Sequence, residues 1–129
     1  MARYTAHYRV TGSPTQIKDP LREVMKSCNI EGIYELEDYV MGREIPGKVP
    51  FATLVTVEVL IDTTQATSNE FTLCFVIKNE ELPLKVNNHC QQVYDAIQDK
   101  IGDSYTWQLV GSSSNAKPRA DRPIESLDN

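Results

Sequence analysis

Gly42, Gly47 and Lys48 stand at the Gly-x-x-x-x-Gly-Lys spacing within MGREIPGKVPF (41–51). That is the opening of a phosphate-binding P-loop. There, loop amides and a helix N-terminus cradle phosphates, the lysine meets them and a Ser/Thr hydroxyl binds Mg²⁺. Here the hydroxyl position is Val49, Pro50 follows, and a strand-like run comes next instead of a helix. Pro50 also biases Val49 away from helical angles. The stretch is therefore expected to be a loop between strands, with Pro46-Gly47 as a turn and Gly47 supplying a positive φ. VTVEVLID, ending in Asp62, has the outline of a metal-binding Walker B strand, but it alternates like a half-exposed antiparallel one. What survives of the phosphate reading is Arg43 and Lys48, which flank a glycine-containing loop and are the candidate ligand-binding residues.

Other chemistry finds less footing. His7 and His89 are the only histidines, without His-x-x-His or Glu-x-x-His spacing, so no metal site is assigned. His89 beside Cys90 offers a base and a thiol at a helix start, where a thiol pKa falls. Adjacent helical residues diverge, however, and Cys90 belongs to an apolar stripe, so it reads as a core cysteine. Cys28, Cys74 and Cys90 are an odd set without C-x-x-C spacing, which points to buried thiols in a reducing compartment. Ser112, Ser113 and Ser114 lack the Gly-x-Ser-x-Gly frame of a nucleophile. The acids Glu31, Glu35, Glu37 and Asp38 lack an EF-hand pattern and read as a solvated face. No acid, base and nucleophile converge in sequence, so no catalytic residue and no cofactor is assigned.

The elements that must position these groups follow from periodicity. The chain of 129 residues, 40% apolar, suits one domain. RYTAHYRV alternates, with Tyr4, Ala6, Tyr8 and Val10 on one side. From Ser13 to Cys28 the spacing of Ile17, Leu21, Val24 and Cys28 predicts a helix, with Asp19 as cap, Pro20 in its first turn and a looser turn ahead. GIYELEDYVM (32–41) is read as one strand, followed by the loop GREIPGKVP. FATLVTVEVLID (51–62) and EFTLCFVIKN (70–79) form an antiparallel hairpin across TTQATSN. Asn87 or Asn88 caps a second helix that Gly102 ends, with Val86, Cys90, Val93, Ile97 and Ile101 as its buried stripe. SYTWQLV closes as a strand with Tyr105, Trp107 and Leu109 alternating.

This order predicts an α+β two-layer sandwich with two helices on one face of an antiparallel sheet. The expected core is ferredoxin-like, βαββαβ, with an extra strand or loop at 32–50. The domain is placed at 1–110, with 111–129 a disordered tail too poor in large apolar residues to order.

The net charge of −5 repels phosphate backbones, so nucleic acid is not an expected partner. No apolar run is long enough to span a membrane, and MARYTAHYRV lacks a signal-peptide core, so membrane insertion is not expected and a cytoplasmic setting is. The sheet face opposite the core lacks the exposed aromatics of an RNA-stacking sheet on the strands that would carry them. It mixes Leu54, Leu60, Cys74 and Val76 with charges, which suits packing against a partner.

KIGDS (100–104), read as a helix end before a strand, is similar to the KIGDG step of the P-II nitrogen-signalling family. That family is ferredoxin-like, trimeric and binds ATP. The likeness covers these five residues, and the chain departs by an extra hairpin strand and by lacking the family's long flexible loop.

The expected function is a non-catalytic regulatory, assembly or escort protein acting by protein–protein association, as a homo-oligomer formed through sheet surface. Glu35, Glu37, Asp38, Leu54, Leu60 and Val76 are its candidate partner-binding residues. The alternatives are a P-II-like nucleotide-sensing oligomer using Arg43 and Lys48, or a small enzyme whose site is assembled from residues distant in sequence.

Overall fold

Alternating apolar residues build most of the sheet. In a computed structural model of the chain, which describes residues 1–64, 67 and 69–115, the elements are β1 (Ala2–Thr11), α1 (Lys18–Ser27), β2 (Ile30–Leu36), β3 (Tyr39–Glu44), β4 (Thr56–Asp62), β5 (Glu70–Asn79), α2 (His89–Ser104) and β6 (Gln108–Ser114). Short 3-10 turns occupy Pro14–Gln16 and Phe51–Thr53. The fold is α+β, a six-stranded antiparallel sheet ordered β2-β3-β4-β5-β1-β6 with two helices. No helix among the described residues is long and apolar enough to cross a membrane.

Period two places Tyr4, Ala6, Tyr8 and Val10 of β1, Val57, Val59 and Ile61 of β4, and Phe71, Leu73, Phe75 and Ile77 of β5 in one core. Leu21, Val24 and Met25 of α1 and Cys90, Val93, Ile97 and Ile101 of α2 join it at helical spacing. Tyr94 stacks on Tyr4 with ring centroids 5.0 Å apart, fixing α2 against β1. The β4–β5 hairpin forms as its alternation predicts, through pairs such as Val57 with Ile77, but its first strand begins at Thr56 and not at Phe51, because Phe51–Thr53 close a 3-10 turn after Pro50.

Helix ends depart from expectation in instructive ways. Asp19 is not the cap of α1; Ile17 holds that position without a side-chain bond, and the looser turn ahead is capped by Ser13, whose hydroxyl accepts from Thr15 N. Pro20 does sit in the first helical turn, where its missing N–H costs nothing. Asn88 caps α2, accepting from Gln91 N at 3.0 Å. Val86 therefore precedes the helix and is exposed, outside the buried stripe. Gly102 does not end α2; Gly102, Asp103 and Ser104 are all helical.

The stretch 32–41 is not one strand. Leu36 pairs with Tyr39 across a two-residue turn at Glu37 and Asp38, so β2 and β3 make a hairpin, and Gly42, Arg43 and Glu44 belong to β3 instead of to a loop. The register slips between Gly32 and Tyr34, which puts a bulge at Ile33. Gly42 is buried beneath α1: a Cβ there would lie 2.6 Å from Ile30 Cγ2 and 3.2 Å from Met25 Sδ.

The last strand begins later and runs further than expected. Tyr105 and Trp107 precede it, stacked at 4.6 Å and half-buried against the core, while Leu109 is exposed. β6 continues through Ser114 along β1, so residues 111–114, expected in the tail, are strand. Asn115 fastens its end, accepting from Arg3 N at 2.7 Å and donating to Met1 O at 2.9 Å. The rest of the expected tail, 116–129, lies outside the described residues, as do 65, 66 and 68 of the expected polar turn.

Candidate functional site

The P-loop spacing is not a P-loop. Gly42 is a strand residue, Gly47 turns the chain at φ 123°, and the stretch after Val49 is a single 3-10 turn leading into β4. Arg43 projects from β3 in a row whose register continues through Thr56 of β4, Lys78 of β5 and Arg3 of β1. It borders a depression of about 330 Å³ with Phe51, Leu54, Thr56 and Lys78. Lys48 is exposed in the turn and does not line that depression, so the structure does not bring the two cations together. Asp62 closes a local turn, accepting from Thr64 N at 2.9 Å and Thr64 Oγ1 at 2.6 Å.

The acidic residues divide. Glu35 is held by Arg22, whose Nε and Nη2 each donate to a carboxylate oxygen at 2.7 Å; this fork holds the Glu35 carboxyl below the usual range. Glu37 and Asp38 are exposed at the hairpin turn. On the sheet face opposite the core, Leu60 is about half exposed and Leu54 is partly covered, but Val76 is only 7% exposed. Val76 lies on an interior strand between Thr5 of β1 and Glu58 of β4, and those neighbours close over it, so it is not an exposed contact residue.

Beside it, Tyr39 donates its phenol to Glu58, which also pairs with Lys78 at 3.0 Å. The bond to the Glu58 carboxylate, then burial, push the Tyr39 phenol up to about 12. In an ultraviolet difference titration, Glu58→Gln is expected to bring one phenol down from about 12 toward the ordinary value near ~10. Superimposable wild-type and variant curves would refute this pairing.

Sequence reasoning missed the outer side of the hairpin. β2 ends the sheet, so one row of its backbone N–H and C=O groups has no strand beside it among the described residues. Ile33, Tyr34 and Leu36 on this strand are about half exposed. Between β2 and α1 runs a groove of about 620 Å³, floored by Met25, Ile30, Ile33 and Val40 and rimmed by the Arg22–Glu35 pair. The signal in the sequence was Ile33, Tyr34 and Leu36, apolar residues the acids around them disguised.

A second constellation is buried at the other end of β3. His89 Nε2 lies 2.8 Å from both oxygens of Glu44, which also accepts from Val55 N at 3.2 Å. Glu81 accepts from His89 N at 3.1 Å, Cys90 N at 2.9 Å and Asn79 Nδ2 at 2.6 Å, and pairs with Lys85 at 3.2 Å. Asn79 Nδ2 also donates to Thr53 O at 3.0 Å. Burial, reinforced by the Glu81 charge, pushes the Cys90 thiol to about 12, so it is not a thiolate nucleophile near neutral pH. The His89 ring thus serves as a tie between β3 and α2.

No protein-family model matches the chain, and no curated protein matches it either. The β2 edge and its groove are the outstanding feature of the surface. Among the described residues no group of His, Cys, Asp and Glu is arranged to hold a metal ion.

Proposed function

We propose that the protein is a non-catalytic association module that takes an extended segment of a partner protein alongside β2. The observation that carries this reading is an unpaired edge strand with three half-exposed large apolar side chains beside an apolar groove. Strand addition supplies main-chain hydrogen bonds, and a pocket for an alternate side chain supplies selectivity. Glu31, Glu37 and Asp38 are exposed along the same hairpin, which favours a segment carrying basic residues around one large apolar residue. The proposal extends to a regulatory, assembly or escort role in the cytoplasm. Leu54 and Leu60 would lie outside the contact, and Glu35 would support it by fixing the groove rim.

The same reading includes a ferredoxin-like core. Without the β2–β3 hairpin, the sheet order reduces to β4-β5-β1-β6, the arrangement of a βαββαβ unit, with both helices contributing to one core. The hairpin is then an added arm that supplies the binding edge. The P-II-like sensor reading draws less support, because it relies on Arg43 and Lys48 acting together.

Ile33→Asp tests the proposal. The side chain sits at a bulge on the edge, so the melting temperature should hold while affinity for a co-purified partner falls by roughly thirtyfold, the effect of losing an apolar anchor. Hydrogen exchange at residues 30–36 should slow in the complex. Unchanged affinity in the variant, or a doubled mass of the protein alone in light scattering that Ile33→Asp abolishes, would reject partner-strand addition, the latter in favour of edge pairing between two copies.

A further inference from the structure

The sheet face opposite the core carries its exposed apolar residues on one half. Register sets two neighbouring rows across β2, β3 and β4: Tyr34 beside Met41 and Glu58, and Leu36 beside Tyr39 and Leu60. Tyr34, Leu36 and Leu60 are about half exposed, and Tyr39 and Met41 are partly so. The Tyr34 ring meets the Tyr39 ring edge-on with centroids 6.3 Å apart, which places both on this face and makes the band continuous. Glu58 is the one charged residue in these two rows, and it is already answered by the Tyr39 phenol and by Lys78 at 3.0 Å. The band can therefore be covered without leaving that carboxylate unpartnered. Ile33 stands apart from it, in the groove beside α1. A continuous half-exposed apolar band on a strand face marks a contact surface.

The other half of the face is unlike it. β1, two strands beyond β4 in the sheet, presents Arg3, His7 and Arg9, all exposed. The occupant must cover β2–β4 and leave β1 in water. Charge also differs between the two ends of the band. At one end Arg43 is exposed with Glu31 opposite it in register and Glu80 nearby, so the signs are mixed. At the other, the β2–β3 turn and the end of β4 expose the acids Glu37, Asp38 and Asp62. Among the described residues Arg43, Glu37 and Asp38 make no ion pair.

A second copy of the chain meets these conditions. Turned about a twofold axis that runs across the strands, it lays β2–β4 on β2–β4, apolar on apolar, and reverses the strand direction. Arg43 of each copy then faces Glu37 and Asp38 of the other, and the two acidic ends stand at opposite ends of the contact. A twofold along the strands would instead set the band against Arg3, His7 and Arg9. We propose that the protein is a homodimer closed by this isologous contact between the β2–β4 halves of two sheets. Both β2 edges stay free, so the contact is independent of strand addition there.

Light scattering of the purified full chain across a concentration series is expected to show a doubled mass. Leu60→Asp puts a carboxylate inside the contact and should weaken the dimer about thirtyfold or more, with the circular dichroism spectrum of the wild type. Arg43→Glu and Asp38→Arg should each weaken it about tenfold, and the two together should recover most of the loss, as a charge swap across the contact requires. Ile33→Asp, on the other side of β2, should leave the doubled mass intact. A single mass at every concentration, a doubled mass that persists in Leu60→Asp, its loss in Ile33→Asp, or no recovery in the charge-swapped pair overturns the proposal.

Discussion

Glu81→Ala is expected to lower stability by about 3 kcal/mol, measured by urea unfolding, the range for removing one partner from a buried charged network. The Glu81 side chain is almost wholly buried yet satisfied from four directions, by Asn79 Nδ2, His89 N, Cys90 N and Lys85. Two of those donors are the first amides of α2, which have no intrahelical acceptor, and a carboxylate there also meets the positive end of the helix dipole. Alanine would leave these donors dry and would release the 80–88 segment. The pH dependence has a definite sign. Burial alone would raise the Glu81 carboxyl, but its hydrogen bonds outweigh burial and hold it below the usual carboxylate range. A group whose folded pKa is depressed stabilises fully above its unfolded value, near ~4.3, and that stability is lost as pH falls through the folded pKa. Acid unfolding should therefore be shallower in Glu81→Gln than in the wild type. Equal acid limbs, or a loss under about 0.5 kcal/mol in the alanine variant, as for an ordinary surface change, would show that the network is not what holds α2.

Gly42→Val is expected to cost about 2–3 kcal/mol, and Gly42→Ala about half of that, the range for overpacking a tight site. A Cβ on Gly42 would meet Ile30 Cγ2 at 2.6 Å, Glu31 O at 3.0 Å and Met25 Sδ at 3.2 Å. The methionine can yield and the isoleucine can turn, but the Glu31 carbonyl is backbone of the paired strand. Lys48→Ala, by contrast, should stay within about 0.5 kcal/mol, as exposed changes usually do. A phosphate-binding loop would behave otherwise, with both residues altering nucleotide affinity. Thermal melts of the three variants separate the cases, and a Gly42→Val protein as stable as the wild type would mean that α1 does not pack on β3 this closely.

The strands of the core were legible because burial on one face writes period two into β1, β4 and β5. The helices were legible for the corresponding reason. The β2–β3 hairpin was not: its turn is Glu37-Asp38, without the glycine or asparagine that announces a tight turn, and the bulge at Ile33 breaks the alternation. β6 escaped beyond Val110 because an edge strand can be held by backbone bonds alone, and three serines serve as well as apolar residues. Val86 was misplaced because the capping Asn88 and the Glu81 carboxylate, not hydrophobic spacing, fix where α2 begins. Of the expected contact residues, Arg43 and Lys48 are neighbours in sequence but separated by the turn at Gly47. Val76 alternated correctly yet was covered by its cross-strand neighbours, which no single-strand pattern can reveal. The buried Glu44, Asn79 and Glu81 are residue types composition assigns to the surface.

The placement of β1 has a consequence in time. Its ten residues are joined on one side to β5, from Ala2–Asn79 to Thr11–Glu70, and on the other to β6, near the far end of the described chain. During synthesis β1 is complete before any residue of β5 exists, while β2 and β3 have each other within a few residues. The hairpin arm can close in about 1–10 μs, whereas β1 must wait with Tyr4, Ala6, Tyr8 and Val10 uncovered. Contacts of such long sequence separation slow folding and expose apolar strands to wrong pairings meanwhile. β1, ahead of the other five strands in the chain, is thus among the last of them to find its neighbours.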